Sequence, residues 1–195
     1  MAFEIRSFNL RDVQGLSQGA LNLHVELYHG YVEQVNTLLE VLQPTESTSR
    51  AAPSLTREAA VRRFPFEYNG MVLHELFFEQ LSGTNGRSPH ERGPLGQAVG
   101  NAFGGFDGWR KDFEKLAATR GVGWVASVRE KTGGTLYNTW IDEHQWGMTA
   151  GTDIIFVLDV WEHAYLLDFA PKQRAEYTQA VFDNVDWSVV ESRMK

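Results

Sequence analysis

The chain carries six histidines, His24, His29, His74, His90, His144 and His163, and no cysteine. Any one of these imidazoles alone reads most simply as a structural residue satisfied by a neighbour. Their joint placement points to chemistry. His24 sits on an apolar stripe with Leu21, Tyr28 and Tyr31, and His74 has Met71, Phe77 and Phe78 around it. If the segments that carry them pair as helices, the two imidazoles face each other across one seam, and buried imidazoles need polar partners. Asp159 ends the apolar run Ile154–Leu158, where an ionised carboxylate is costly unless a cation or strong donors stand beside it. His163 follows four residues later, a separation at which both side chains can meet one ion where a strand turns into a helix. Three neutral nitrogens and one anionic oxygen suit a first-row ion such as manganese or iron. Zinc accepts the same set, so donor identity alone does not settle redox chemistry. His90, in a polar loop, reads as solvated.

The elements that must position these residues follow from periodicity. From Ser17 to Gln43, apolar residues recur at three- and four-residue spacing (Leu21, Val25, Tyr28, Val32, Val35, Leu38, Leu39, Leu42). That predicts one long helix with Ser17 as N-cap, ended by Pro44 and the polar run Thr45–Arg50. Thr56–Arg63 predicts a short helix stopped by Pro65, Asn69-Gly70 a turn, and Met71–Leu81 a second main helix antiparallel to the first. Ser82–Pro89 is loop material. Leu95–Arg120 predicts a helix interrupted at Gly104-Gly105. Gly123–Arg129 and Thr135–Ile141 are β-prone runs joined by Lys131–Gly134, and Asp153–Asp159 is a third strand buried on both faces. Helices near Lys172–Asp183 and Ser188–Arg193 close the chain. The predicted class is α+β. Residues 1–89 form an N-terminal antiparallel helical hairpin. Residues 90–195 form a C-terminal α/β domain with a small three-stranded antiparallel sheet.

Composition narrows the function. Without cysteine, disulfides, zinc–thiolate sites, iron–sulfur clusters and cysteine catalysis are excluded. No apolar run approaches the roughly 20 residues that span a bilayer. Met1–Arg6 lacks a basic region followed by a long apolar one, so a cytoplasmic protein with no membrane partner is expected. The formal charge of −7 argues against nucleic acid, and the basic cluster Arg57–Arg63 reads as a solvated helix face. An anionic substrate would need a local positive funnel, because the field of the whole molecule opposes it.

The string Asp159-Val160-Trp161-Glu162-His163-Ala164-Tyr165 resembles the D-x-W-E-H-A-Y signature of iron/manganese superoxide dismutases. The likeness extends along nearly the whole chain from about residue 15. Leu23-His24 with Tyr31–Asn36 resembles the family's first ligand helix. Tyr68-Asn69-Gly70 with His74–Phe78 resembles its second. Gly93-Pro94-Leu95, Phe103–Asp107, Gly121–Trp124, Arg174–Tyr177 and Asn184–Trp187 fall in the expected order. The resemblance implies one iron or manganese ion per subunit, held by His24, His74, Asp159 and His163 between the two domains. It implies superoxide as substrate, disproportionated to dioxygen and hydrogen peroxide, and a homodimer or homotetramer. Glu162 takes the place of the glutamate that reaches across a dimer interface to the ligand histidine of the other subunit. Trp124 and Trp161 take the place of apolar walls around the metal.

Several positions depart from the family pattern. The glutamine that can precede the second ligand by four residues is Gly70 here, which leaves the hairpin side, Asp142–Gln145, to hydrogen-bond solvent at the metal. His144 is the expected donor there and Gln145 the alternative. Tyr31 follows His24 by seven residues, one fewer than in the family pattern. The family spacing resembles a helix with one inserted residue, a π-bulge. Its loss restores a regular helix and leaves Tyr31 facing the metal as the gateway, with Tyr28 or His29 beside it. Tyr31 and His144 are then the expected proton route. Leu166 replaces the tyrosine after His-Ala-Tyr, and with it the cross-subunit Tyr–His contact. Arg174 and Lys172 are candidate steering cations. Rival readings are a three-ligand iron oxygenase and a non-catalytic metal-binding homologue. A di-iron bundle needs two Glu-x-x-His motifs, and this chain has one, Glu26–His29.

Overall fold

A computed structural model describes residues 2–43, 54–82 and 88–194. The polar run Thr45–Arg50 and most of the Ser82–Pro89 loop lie outside the described residues. Helix α1 (Gln18–Leu42) begins as its sequence predicts: the Ser17 hydroxyl accepts the Ala20 N–H at 3.1 Å. Its buried face is Ala20, Leu21, His24, Tyr28, Val32 and Val35. The helix is regular through Tyr28–Tyr31, so the shortened spacing leaves Tyr31 two turns from His24 on one face.

Helix α2 (Ser54–Glu79) differs from expectation. Where a short helix, a stop at Pro65 and a turn at Asn69-Gly70 are predicted, one helix runs through with Pro65 inside it. Proline normally breaks a helix because it removes one N–H and crowds the carbonyl four residues back. Here Pro65 and Val61 are both exposed, so water can reach the carbonyl that loses its partner. The packing of the long helix on α1 offsets the cost. Gly70 is helical for a different reason. A Cβ at this position would lie 2.7 Å from Cδ1 of Tyr31, so the glycine serves close approach rather than a turn. The two helices are antiparallel. His24 packs on Phe77 and Phe78, the Tyr28 hydroxyl donates to Glu75 at 2.9 Å, and Tyr31 lies over Gly70. The N-terminal segment crosses this hairpin: the Asn36 amide holds the main chain of Phe3, and the Tyr28 hydroxyl accepts the Arg6 N–H.

Helices α3 (Pro94–Phe103) and α4 (Phe106–Ala117) are separated at Gly104 and Gly105, with φ of +75° and +135°, values that side-chain-bearing residues rarely adopt. The sheet has order β2-β1-β3, all antiparallel, with β1 (Gly123–Glu130) central between β2 (Leu136–Asp142) and β3 (Thr152–Asp159). Register places Trp124 opposite Asp159 on one side and Ile141 on the other. The outer edge of β3 is closed rather than left as an open pairing template. The buried Gln80 side chain, just past α2, donates to the carbonyl of Val157 and accepts its N–H, and Arg193 donates to Ile155 and Leu76 carbonyls. Helices α5 (Arg174–Asp183) and α6 (Trp187–Ser192) complete an α+β fold. Among the described residues no helix is long and apolar enough to cross a membrane.

Candidate metal centre

His24 comes from the second turn of α1, His74 from α2, Asp159 from the last position of β3, and His163 from the 3-10 turn Glu162–Ala164 that follows. One potential donor atom from each lies within 4.8 Å of all the others. Nε2 of His24 is 3.0 Å, Nε2 of His163 3.2 Å and Nε2 of His74 3.7 Å from Oδ2 of Asp159. Three of the residues are buried, and His163 retains 24% side-chain exposure.

His74 shows that the cluster fits an ion. The carbonyl of Gly70 can only accept, and it stands 2.6 Å from Nδ1 of His74, so that nitrogen carries the ring proton. Nε2 is then a lone-pair acceptor. It is fully buried and has no hydrogen-bond partner among the described residues. Such a group carries an uncompensated desolvation cost of about 1–3 kcal/mol, which a cation relieves. The oxygen it faces is anionic. Burial pushes the Asp159 carboxyl up, but the charge and hydrogen bond of His163, with the hydrogen bond of His24, bring it well below the usual carboxylate range. Three imidazole nitrogens and one carboxylate match iron or manganese.

Proton competition follows from the same contacts. Burial lowers the pKa of His24 and takes that of His74 well below the ordinary value. His163 goes the other way: burial lowers it, but the Asp159 charge and hydrogen bond raise it overall above 6.5. Below that raised value the empty centre holds a proton on His163 that an entering ion must displace. Affinity for Mn²⁺ should therefore rise with pH, by up to about tenfold per unit, until His163 has lost its proton. Calorimetric titration in two buffers of different ionisation enthalpy measures the released proton. An affinity constant from about pH 6 to pH 8, with no proton release, contradicts this account.

Beside the cluster stands a second group of rings. Trp124, fully buried, places its ring 5.0 Å from that of His74 and donates Nε1–H to Nδ1 of His144 at 2.9 Å. An N–H donor fixes the tautomer: His144 accepts at Nδ1 and carries its proton at Nε2. That Nε2–H is 2.7 Å from the Tyr31 oxygen, which accepts it. The hydroxyl proton of Tyr31 is left free to point elsewhere. Burial lowers the His144 pKa to about 4, so the ring is neutral at pH 7, and burial raises that of Tyr31, so the phenol keeps its proton. Trp161 stacks on both His144 and His163, and its main-chain N–H donates to Oδ1 of Asp159 at 2.8 Å. His144 reaches inward from a tight turn in which Glu143 has φ of +51°.

The remaining expected residues divide clearly. Tyr28 is fully buried, but its hydroxyl serves Glu75 and Arg6 rather than the cluster, and burial raises its pKa to about 12. His29 contacts the Tyr28 ring. Gln145 is half-buried and uses its main-chain N–H on Asp142, so of the two hairpin candidates it is His144 that meets Tyr31. Glu162 is exposed. Arg174 is not free to steer an anion, because its guanidinium donates to the carbonyls of Ala117, Thr119, Gly121 and Val160. With Tyr177, whose hydroxyl donates to the Asp159 carbonyl at 2.8 Å, it clamps the strand end that presents the carboxylate. Neither Tyr177 nor Phe66, whose ring is 4.6 Å from His144, is among the residues expected from the sequence. Phe66 lies two helical turns before His74, a spacing that could have marked it.

Comparison with known proteins agrees with this geometry. A sequence model of the C-terminal domain of iron/manganese superoxide dismutases matches residues 91–193. The chain is 32% identical to superoxide dismutase [Mn] 2 of Haloferax volcanii over 173 residues, covering 88% of this chain and 83% of that one. It is 33% identical to superoxide dismutase [Mn] 1 of Halobacterium salinarum over 173 residues, with the same coverage of both chains. It is 30% identical to superoxide dismutase [Fe] of Pyrobaculum aerophilum over 184 residues, covering 92% and 84%. With the domain match spanning more than half of the chain and these relatives aligned over most of their length, the chain belongs to the iron/manganese superoxide dismutase family.

Proposed function

We propose that this protein disproportionates superoxide, with one iron or manganese ion per subunit held by His24, His74, Asp159 and His163. The observation that carries the reading is the buried, unpartnered Nε2 of His74 in a cluster of three imidazoles and one carboxylate. When bound, the ion would supply the one-electron chemistry by which two superoxides and two protons become dioxygen and hydrogen peroxide, one superoxide being oxidised and the other reduced. The protein supplies charge, shape and protons. Asp159 contributes a full negative charge that favours the higher oxidation state. Trp124 and Trp161 exclude water. Peroxide leaves only when protonated, and Tyr31, held by His144 with its own proton uncommitted, is positioned to donate at the Oη atom. A fourth protein donor favours this reading over a three-ligand oxygenase, which needs open positions for an organic co-substrate. The test is dismutation by protein loaded separately with iron and with manganese, followed by pulse radiolysis, with metal content measured. Fully loaded protein that leaves superoxide decay at the spontaneous rate would exclude the enzyme reading and favour a non-catalytic metal-binding role.

The start of the C-terminal domain match at residue 91 supports a domain division near residue 90. The cysteine-free composition is compatible with a cytoplasmic location. A homodimer is supported by a hollow of about 460 Å³ lined by Leu23, Glu26, Leu27, Glu162, His163, Leu166 and Leu167. Its four leucines are 41–60% exposed, more apolar surface than a monomer's isolated leucine would explain. Leu166 adds to this apolar patch. Glu162 and the partly exposed His163 line the same hollow, so a second copy seated there would cover the metal cluster. The double variant Leu166→Glu/Leu167→Glu should sediment as a monomer, because pairing would bury like charges. An unchanged sedimentation coefficient would place the interface elsewhere.

A further inference from the structure

Superoxide is an anion, yet the chain carries a formal charge of −7. Its long-range field therefore repels the substrate that the dismutase reading assigns to it. A cation near the site, within the Debye length of about 10 Å at 0.1 M salt, would offset that repulsion. Arg174 is committed to four carbonyls. Lys172 lines a separate cleft between α4 and α5 that none of the four cluster residues touches.

Helix α2 offers a better-placed charge. Arg63, Phe66, Glu67, Gly70 and His74 recur at three- and four-residue steps, so they run along one face from solvent to the metal cluster. The guanidinium carbon of Arg63 lies 4.0 Å from the centroid of the Phe66 ring. That ring is 4.6 Å from His144 and 6.3 Å from Tyr31, centroid to centroid. A positive charge is thus stacked on the outer side of the ring that lines the Tyr31–His144 pair. It is also pinned there: Nε of Arg63 donates to Oε1 of Glu67 at 2.6 Å. The pair is asymmetric, with the Glu67 side chain 6% exposed and that of Arg63 57% exposed. An approaching anion meets the positive end, while the negative end is buried beneath it. An ordinary exposed i,i+4 pair contributes about 0.3–0.5 kcal/mol and has no such orientation.

We propose that Arg63 is the steering cation for superoxide, and that Glu67 fixes its guanidinium over Phe66 at the approach to Tyr31 and His144. The proposal rests on the dismutase reading and adds the residue that solves its charge problem. Glu67 also makes Arg63 necessary, because without the guanidinium a buried carboxylate would stand unpaired beside the approach.

The test is kcat/KM by pulse radiolysis on metal-loaded protein, from about 10 mM to about 0.5 M ionic strength. Wild type should slow as salt rises despite its negative net charge. Arg63→Ala should be slower by roughly 3- to 10-fold at low salt, with a flat or reversed salt slope, and should converge with wild type at high salt. The double variant Arg63→Ala/Glu67→Gln leaves no unpaired buried acid, so it folds without that cost, and it should still lack the wild-type salt slope. Arg63→Lys should retain most of that slope. Arg62→Ala removes an equal charge about 100° around the helix and should change the rate by less than about twofold. Active wild type beside a double variant with unaltered rate and slope overturns the steering role alone. Loaded wild type without dismutation overturns the underlying reading.

Discussion

Asp159→Asn should cost the protein its metal and its dismutation together. Oδ2 of Asp159 is the common neighbour of the three imidazole Nε2 atoms, at 3.0, 3.2 and 3.7 Å. Asparagine has nearly the same shape and retains an acceptor for the Trp161 N–H, so the strand end should hold its place. The full negative charge is lost. Substitutions around a metal's ligands already cost about 10–100-fold in affinity, and loss of the one carboxylate in the proposed ligand set should exceed that. We expect little metal in purified protein and a fall in dismutation of roughly a thousandfold or more. Elemental analysis and pulse radiolysis measure the two effects separately. Normal metal content with normal activity would remove Asp159 from the ligand set.

The same substitution has a signature in the metal-free protein. Both influences that raise the His163 pKa come from Asp159, so without them burial takes it below 6.5. In wild type the raised His163 contributes stability that is present below pH 6.5 and fades as pH rises through its folded value. The depressed Asp159 contributes stability that is present above its unfolded value of 3.8 and is lost as pH falls through its folded one. Both contributions are in force between about pH 4 and pH 6.5. The stability deficit of metal-free Asp159→Asn should be largest in that window and shrink towards pH 8.5. Urea unfolding at several pH values reads this directly, and a deficit that grows with pH reverses the assignment of the His163 charge.

Gly70→Ala is the second large effect, and it should separate catalysis from metal binding. In an exposed helix this change is favourable by about 1 kcal/mol. Here the new Cβ would stand 2.7 Å from Cδ1 and 2.8 Å from Cε1 of Tyr31. Overpacking of this kind costs about 1–3 kcal/mol, so it outweighs the propensity gain. The backbone of α2 cannot retreat freely, because it is packed on α1 and would carry His74, whose Nδ1 donates to the Gly70 carbonyl at 2.6 Å, away from Asp159. Tyr31 must move, and its 2.7 Å contact with His144 is broken. A misplacement of about 1 Å at a reacting group can cost a hundredfold, so dismutation should fall by roughly 10- to 100-fold with metal content unchanged. Full activity in Gly70→Ala would mean that the Tyr31–His144 contact is dispensable.

Much of this centre was legible in the sequence because its parts are local. The α1 stripe places His24 and Tyr31 on one face, and the missing residue between them leaves the helix regular, as the seven-residue spacing implies. The strand ending at Asp159 is apparent from its apolar run, whereas His144 was marked by the family resemblance rather than by its neighbours in sequence. The misreading of α2 was also local in origin. Pro65 and Asn69-Gly70 are breakers by residue type, but whether they break a helix depends on what surrounds them. Pro65 and Val61 both lie on the exposed side of the helix, and Gly70 makes room for an aromatic ring on another helix.

Residue types and periodicity determined the α+β class, the four candidate ligands and the elements that carry them, since each of those follows from neighbours within a few positions. Only the tertiary structure decided what each side chain does with its polar atoms. It assigned Arg174 to main-chain carbonyls and Tyr177 to the strand end, joined His144 to Tyr31 and Trp124, and stacked Arg63 over Phe66. The physical reason is that a buried or pinned polar group takes whichever partner the packing brings within about 3 Å. Tyr31 and His144 lie 113 residues apart, so no local pattern encodes that contact, whereas Arg63 and Phe66 are neighbours on one helix whose stacking only the packing decided.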